Sequence, residues 1–240
     1  MSAPAVGRPA FPRLRLNAVF GGTVMLLLLA LALFGPLIAP YDPLVLDLPA
    51  RLAGPSAAHL LGGDEFGRDV LSRLIIGART SVWIAASTVT FAIVSGMFLG
   101  VLAGFLRGWA DRAIMAVNDA FLAFPGLLLA LGFMAVFGAS QSGIIIALGL
   151  AYMPVVVRVV RATVMSLRER EFVEASRVIG NSEIVTMARH VLPNCVAPIT
   201  VLATTMFGWI VLSESALSFL GLGVPPPAPS WGNMLSTARP

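Results

Sequence analysis

Long, predominantly apolar stretches are the feature that most limits the folds open to this chain. A helix rises 1.5 Å per residue, so about 20 apolar residues cross a hydrocarbon layer about 30 Å thick. Five stretches reach that length: 18–39, 81–106, 113–137, 142–160 and 195–217. With 58% apolar and 12% charged residues, the composition is far from that of a soluble globular domain. The sequence therefore predicts an all-helical integral membrane bundle of five spans.

The distribution of arginine predicts how these spans are oriented. All 16 basic residues are Arg, and most lie in the N-terminal tail, between the second and third spans, or from Arg158 to Arg189. The positive-inside rule places such segments in the cytoplasm. The resulting organisation is a cytoplasmic tail (1–17), a first span (18–39), an external loop (40–80), a core transmembrane unit (81–217) with a cytoplasmic loop (161–194), and an external C-terminal segment (218–240).

The two external segments have distinct patterns. The first is rich in Pro and Gly and ends in an amphipathic stretch, 68–75, which we expect to form a short helix along the outer membrane interface. Its apolar face consists of Val70, Leu71, Leu74 and Ile75, and its polar face of Arg68, Asp69, Ser72 and Arg73. The Pro-rich run 224–230 near the C-terminus cannot be helical, and we expect that segment to cap the bundle from outside.

Composition and spacing exclude several function classes. The chain has no Lys, which a Walker A loop requires to reach nucleotide phosphates, so it is not a P-loop ATPase. A single cysteine, Cys195, allows no internal disulfide and no cysteine metal cluster. His59 and His190 lie far apart and accompany no nucleophile motif. The sequence therefore predicts no catalytic residue, no metal site and no bound cofactor in this chain.

The cytoplasmic loop has the pattern of two short helices joined by a turn. Apolar or small residues recur at helical spacing from 172 to 179, and Gly180 follows at the position where a helix end in the left-handed conformation favours glycine. Ser182 can cap a second helix through Leu192, and we expect Pro193 to separate that helix from the fifth span. A helix with an apolar stripe beside charged residues suits a groove on a soluble partner.

The same loop resembles the EAA signature of ABC-importer permeases in its run EFVEASRVIGNSEIVTMARHVLPN. Two further segments, HLLGGDEFGRDVLSRLIIGARTS and SESALSFLGLGVPPPAPSWGNML, narrow the resemblance to C-type permease subunits of dipeptide, oligopeptide and nickel importers. Ser176 stands where the signature has a second alanine. The resemblance implies an ATPase-coupling loop that includes Glu171, Phe172, Glu174, Ala175, Ser176, Arg177, Gly180, His190, Leu192 and Pro193.

What the resemblance implies is a helical bundle of the type I ABC importer permease kind, in a bacterial cytoplasmic (inner) membrane, that translocates di- or oligopeptides. Its implied partners are a second homologous permease subunit, two ABC ATPase subunits that bind ATP and Mg, and an extracytoplasmic solute-binding protein. Such subunits have six spans, with the last after the SWGNML segment, so this sequence is expected to lack the sixth.

Other functions stay open at this point. A nickel or glutathione importer permease shares the same motifs. A helix–turn–helix could instead belong to a membrane-tethered DNA-binding protein, although its second helix has few basic residues for phosphates. An intramembrane enzyme would need paired catalytic groups, and none is evident in the sequence.

Three features within the spans carry predictions of their own. Asp119 and Glu214 are acidic residues in or at the ends of apolar spans, where an ionisable group is costly, so they are possible pathway or gating residues. Gly96, Gly100 and Gly104 form a ladder of small residues, which predicts close packing of the second span against another helix.

Overall fold

The computed structural model describes residues 16–238, which fold into nine α-helices. In chain order they are α1 (Leu16–Ile38), α2 (Val70–Leu106), α3 (Gly108–Leu122), α4 (Gly126–Phe137), α5 (Gln141–Arg168), α6 (Glu171–Val178), α7 (Glu183–Thr186), α8 (Leu192–Phe219) and α9 (Trp231–Thr237). A π-helical turn, Met187–Val191, joins α7 to α8, and a 3-10 turn occupies Leu48–Ala50.

Four helices of this part of the chain are long and apolar enough to cross a membrane: 19–38 of α1, α2, α5, and the continuous stretch Glu183–Phe219. The pair α3 and α4 also passes as one broken span, bent by 98°. The all-helical five-span bundle predicted from the sequence is thus confirmed. The predicted third span differs in form, because the chain turns sharply at 123–125 where Pro125 cannot continue a helix.

The core of the bundle is the parallel contact of α2 with α5, which depends on the glycine ladder. A side-chain Cβ at Gly96 would lie 2.6 Å from Cβ of Val156, and one at Gly104 would lie 2.9 Å from Cγ1 of Val164. Neither contact is possible between real atoms, so only glycine allows the two helices to approach this closely. The prediction of close packing is confirmed, and Gly100 continues the same line of contact.

One predicted helix break is wrong, and one helix is longer than the span it contains. The fourth span is predicted at 142–160, and α5 continues beyond it to Arg168. Pro193 was expected to separate the second loop helix from the last span, yet one helix runs from Glu183 to Phe219. Pro193 lies in the first turn of α8, where its missing N–H needs no partner, and the π-helical turn before it lets Leu192 donate to the carbonyl of Met187.

The predicted interfacial helix is also corrected. Residues from Val70 onward are the first turns of α2, and the polar face is buried rather than exposed. Arg68, Asp69 and Arg73 are each less than a tenth exposed, whereas Leu74 is 43% exposed. The reason is that the loop before α2 supplies polar partners that amphipathic periodicity cannot reveal.

Those partners fix the segment 40–69 against α2. Asp64 Oδ2 accepts from Nε of Arg68 at 2.7 Å and lies 3.3 Å from Nε of Arg73. Asp69 caps α2 through Ser72 and lies 3.0 Å from His59 Nδ1. At the other end of the chain, the run 224–230 is not helical, as predicted. Helix α9 follows it and packs against α8 and α2.

Candidate functional site

The segment between α5 and α8 forms a compact two-helix element, defined here as residues 171–191. Helix α6 starts after Arg170, whose carbonyl accepts the backbone N–H groups of Val173 and Glu174. Glu171 and Glu174 lie in its first turn and Arg177 in its last turn. This order of charges is favourable to the helix dipole, so the sequence stabilises α6 although it has only eight residues.

The turn between the two helices depends on Gly180. Its φ angle is +87°, and its N–H donates to the carbonyl of Arg177 at 2.9 Å. Asn181 N–H donates to the carbonyl of Ser176, which completes the helix end. Residues other than glycine rarely adopt this φ value, so glycine allows the chain to reverse direction without backbone strain. Ser182 then caps α7 by accepting from Val185 N–H. The predicted helix, glycine turn and serine cap are therefore present.

A buried polar contact holds the two helices together. The hydroxyls of Ser176 and Thr186 are 2.9 Å apart, and Asn181 Nδ2 donates to Ser176 Oγ at 3.0 Å. Ser176 and Thr186 are almost fully buried, beside the fully buried Val173. Ser176, the departure from the signature, therefore gains a partner that an alanine could not use. A polar residue in an apolar stripe signalled such a contact, but Thr186 and Asn181 could not be identified from spacing.

The outer surface of the element is apolar with a charged border. Val178, Ile179 and Ile184 are 81%, 78% and 75% exposed, and we call these three side chains the ridge. Beside the ridge, Arg177 Nε lies 2.9 Å from Glu183 Oε1. Three large apolar side chains at this exposure, next to charges, form a surface suited to burial against another protein.

The element is joined to the helical core at the end of α5. Arg168 Nη1 donates to the carbonyls of Gly104 and Phe105, the last turn of α2, at 3.2 and 2.6 Å. A cation there satisfies carbonyls that have no partner within the helix. An open groove of about 580 Å³ lies beside this contact. Its lining residues are Arg107, Arg168, Glu169, Glu174, Arg177 and Val178.

The remaining residues of the predicted coupling loop occupy varied positions. Glu171, Glu174 and Ala175 are exposed, as is Phe172 in part. The Phe172 ring lies 6.5 Å from the His190 ring, so these two residues connect α6 to the π-helical turn. Leu192 packs against the core and Pro193 is exposed. The structure thus brings most of the set into one element, with Leu192 and Pro193 at its base.

Asp119 and Glu214 lie in different surroundings. Asp119 Oδ1 accepts from Arg158 Nη2 at 2.6 Å, and both side chains are more than half exposed. Glu214 is 1% exposed and accepts hydrogen bonds from Ser218 and Ser230. Glu214 therefore attaches the C-terminal segment to α8.

A second ion pair of the same helices was missed by sequence reasoning. Arg161 binds Asp111 through two hydrogen bonds of 2.5 and 2.7 Å, which join α5 to α3. The acidic residues Asp111 and Asp119, eight positions apart on α3, indicate ion pairs only weakly. The bend after α3 determines which helix they face, and the sequence does not give that bend.

The DNA-binding alternative does not fit this geometry. The second helix, α7, has four residues, presents Ile184 outward and continues through the π-helical turn into a membrane span. Its first acidic residue, Glu183, would also repel phosphates.

Comparison with known proteins identifies related sequences along the chain. A family model described as binding-protein-dependent transport system inner membrane component matches residues 96–239, and one described as N-terminal TM domain of oligopeptide transport permease C matches residues 14–55. The di/tripeptide transport system permease protein DppC of Pseudomonas aeruginosa is 46% identical over 93% of this chain and 76% of its own length.

Two further comparisons agree. The glutathione transport system permease protein GsiD of Pectobacterium atrosepticum is 38% identical over 92% of this chain and 74% of its own length. Among solved structures, the MetNI methionine ABC transporter in inward-facing conformations is 20% identical, with a TM-score of 0.56 over 63% of this chain and 76% of the matched chain. That likeness shows a shared fold.

Proposed function

The chain belongs to the binding-protein-dependent transport family of inner membrane components, and from that premise we propose that it imports di- or tripeptides, with residues 171–193 as its contact with the ATPases. It is a multi-pass permease subunit of an ABC importer. The observation that carries the coupling proposal is the exposed ridge on the rigid two-helix element.

The ridge supplies the docking energy. Val178, Ile179 and Ile184 are each at least three-quarters exposed, and burying a side chain of this size contributes about 1.5–3 kcal/mol. Glu174 and Arg177 border the ridge and determine its register in a groove of the ATPase, because charges at an interface edge contribute more to specificity than to affinity.

The helices attached to the element transmit its movement. The stretch Glu183–Phe219 is one helix of 37 residues, which at 1.5 Å per residue is about 55 Å long. Its far end carries Glu214, which binds Ser230 of the C-terminal segment. A displacement at the element therefore reaches the opposite side of the membrane as a movement of a rigid body.

The proposed assembly has four further components. A second homologous permease subunit completes the passage, two ATPase subunits bind ATP and Mg, and an extracytoplasmic binding protein delivers the cargo. ATP-driven closure of the ATPases shifts the population between inward-facing and outward-facing states. This subunit contributes binding surfaces and movement, while the ATPases carry out hydrolysis.

Peptide cargo is supported by the relatives, since one 46% identical is named a di/tripeptide permease and one 40% identical a dipeptide permease. Glutathione is the second candidate, because a relative named as its permease is 38% identical. Uptake of radiolabelled dipeptide, tripeptide, glutathione and Ni²⁺ by proteoliposomes holding the complete importer and its loaded binding protein decides among them. Uptake of Ni²⁺ but of no peptide would refute the peptide proposal.

Docking is tested by co-purification. Ile179→Asp and Ile184→Asp place a charge on the ridge, and each is expected to reduce recovery of the ATPase subunits at least tenfold. Leu46→Asp is the matched control, because Leu46 is 61% exposed in the loop before α2 and should leave recovery unchanged. Recovery of the ATPase subunits at the wild-type level from all three variants would show that the ATPases bind elsewhere.

A further inference from the structure

Arg107, at the joint between α2 and α3, has a backbone conformation that favours glycine. Its φ and ψ angles are +54° and −170°, at the edge of a region that is populated almost only by glycine. Glycine would adopt this conformation without strain, because it has no Cβ. A long side chain held at such a position indicates that the side chain has a role that offsets the strain.

The rest of the chain does not supply that role. The Arg107 side chain is 50% exposed, and its Nη2 lies 3.9 Å from Oε1 of Glu169, which is too far for a hydrogen bond. Within the described residues, the guanidinium makes no hydrogen bond and no other ion pair. An ion pair as open as this one contributes little to stability. The acceptor that offsets the strain therefore lies outside the described chain.

The position of the side chain indicates where that acceptor is. Arg107 lines the open groove of about 580 Å³ at the end of α5. The other two arginines of this groove already have acceptors, since Arg168 donates to two carbonyls of α2 and Arg177 lies 2.9 Å from Oε1 of Glu183. Val178, which belongs to the ridge, lines the same groove. The free guanidinium of Arg107 is thus next to the surface that is proposed to dock the ATPases.

We propose that Arg107 is a second contact with the ATPases, outside the two-helix element, and that its guanidinium binds a carboxylate on the ATPase surface. The inference rests on the proposed function, because it requires the ridge to dock there. A guanidinium and a carboxylate can pair through two parallel hydrogen bonds, and a docked ridge shields such a pair from water, which strengthens it. The ATPases then hold the bundle at two places, the two-helix element and the joint between α2 and α3.

The first test compares Arg107→Gly with wild type in the complete importer. Glycine is compatible with the backbone at this position, so the joint should fold and the variant should lack only the guanidinium. We expect recovery of the ATPase subunits to fall about tenfold or more, as for the loss of a hydrogen-bonded charge. Recovery should also become less sensitive to NaCl, because one ion pair is absent.

Arg112→Gln is the matched control for this test. Arg112 is an exposed arginine of α3 that donates to the carbonyl of Gly108 and does not line the groove. We expect it to retain the ATPase subunits at the wild-type level. Recovery from Arg107→Gly equal to that from this control would overturn the proposal.

The second test uses the absence of lysine from the sequence. Arg107→Lys keeps the positive charge and introduces the only lysine of the chain, which a carbodiimide can join by an amide bond to a carboxylate in contact with it. In the complete importer we expect a cross-link to an Asp or Glu of an ATPase subunit, identified by mass spectrometry. Arg112→Lys is the matched control and should give no such product. Cross-linking to Glu169 alone, or to no carboxylate of the ATPases, would overturn the proposal.

The ridge variants distinguish failure of this proposal from failure of the proposed function. If Ile179→Asp abolishes recovery of the ATPases while Arg107→Gly does not reduce it, the ATPases dock on the ridge and Arg107 is not part of the contact. If both variants retain the ATPases at the wild-type level, the proposed docking surface is itself refuted.

Discussion

The hydroxyl groups of Ser176 and Thr186 lie 2.9 Å apart inside the two-helix element, so the first helix is tied to the second by a hydrogen bond that is sheltered from water. Asn181, in the turn, donates to the same Ser176 oxygen. The proposed contact with the ATPases is thus internally braced, and a force applied to its ridge moves both helices together.

Ser176→Ala is predicted to loosen the element. It removes the partner of the buried Thr186 hydroxyl and of Asn181, and leaving such a group unsatisfied costs about 1–3 kcal/mol. Hydrogen exchange of the amides at 171–186 should accelerate accordingly. Adding Thr186→Val removes the orphaned hydroxyl, so the double variant should exchange more slowly than the single one. Ser166→Ala, at an exposed serine of α5, is the control.

The stability cost of replacing Gly180 is predicted to depend only on how readily the new residue adopts a positive φ. No atom lies within 4 Å of a Cβ built at this position, so the cost arises from its φ of +87°. Gly180→Ala should destabilise the element by about 1 kcal/mol, Gly180→Asn by less and Gly180→Val by more. Amide hydrogen-exchange rates at 171–186 measure this order of stability. An equal acceleration by all three substitutions would indicate that the turn can adopt another backbone conformation.

Gly100→Ala is predicted to destabilise the bundle. Its Cβ would lie 2.8 Å from the carbonyl oxygen of Val157, a backbone atom that cannot turn aside. Overpacking of this kind costs about 1–3 kcal/mol and should lower the thermal midpoint of the purified complex. Gly208→Ala in α8 is the matched control, because nothing lies within 4 Å of its Cβ. Equal midpoints for the two variants would show that α2 and α5 separate at little cost.

Asp69 is predicted to make the segment 40–69 sensitive to acid. Burial alone would raise the pKa of Asp69, but hydrogen bonds from Ser72 and His59 outweigh it and hold that pKa below the ordinary value of 3.8. Because the folded state favours the ionised form, this stabilisation is present above pH 3.8 and is lost as the pH falls through the lower, folded-state pKa.

The measurement for Asp69 is the thermal midpoint of wild type and Asp69→Asn between pH 7 and pH 3. The variant should melt at a lower temperature at pH 7, and the difference should narrow in the acid range. Glu65→Gln, at an exposed neighbour, should follow wild type throughout. A difference independent of pH would mean that the ionisation of Asp69 contributes nothing.

The loop motif was predictable because its determinants are local. The glycine at 180 acts through its own backbone, the serine at 182 caps a backbone N–H three residues along the chain with its hydroxyl, and the structure has both. The Pro193 break was mispredicted because proline is compatible with the first turn of a helix, and only the neighbouring π-helical turn shows that α8 continues through it.

Hydropathy and the glycine ladder by themselves determined that this chain is a helical membrane bundle with two closely packed spans, since the bilayer and helical geometry constrain every sequence alike. The tertiary structure decided which polar groups meet. It turned the polar face of residues 68–73 inward, paired Arg161 with Asp111 between helices, and left Arg158 and Asp119 open on the surface. The physical reason is that the partner of a charge lies on another helix, at a distance fixed by packing and bends that no local pattern records.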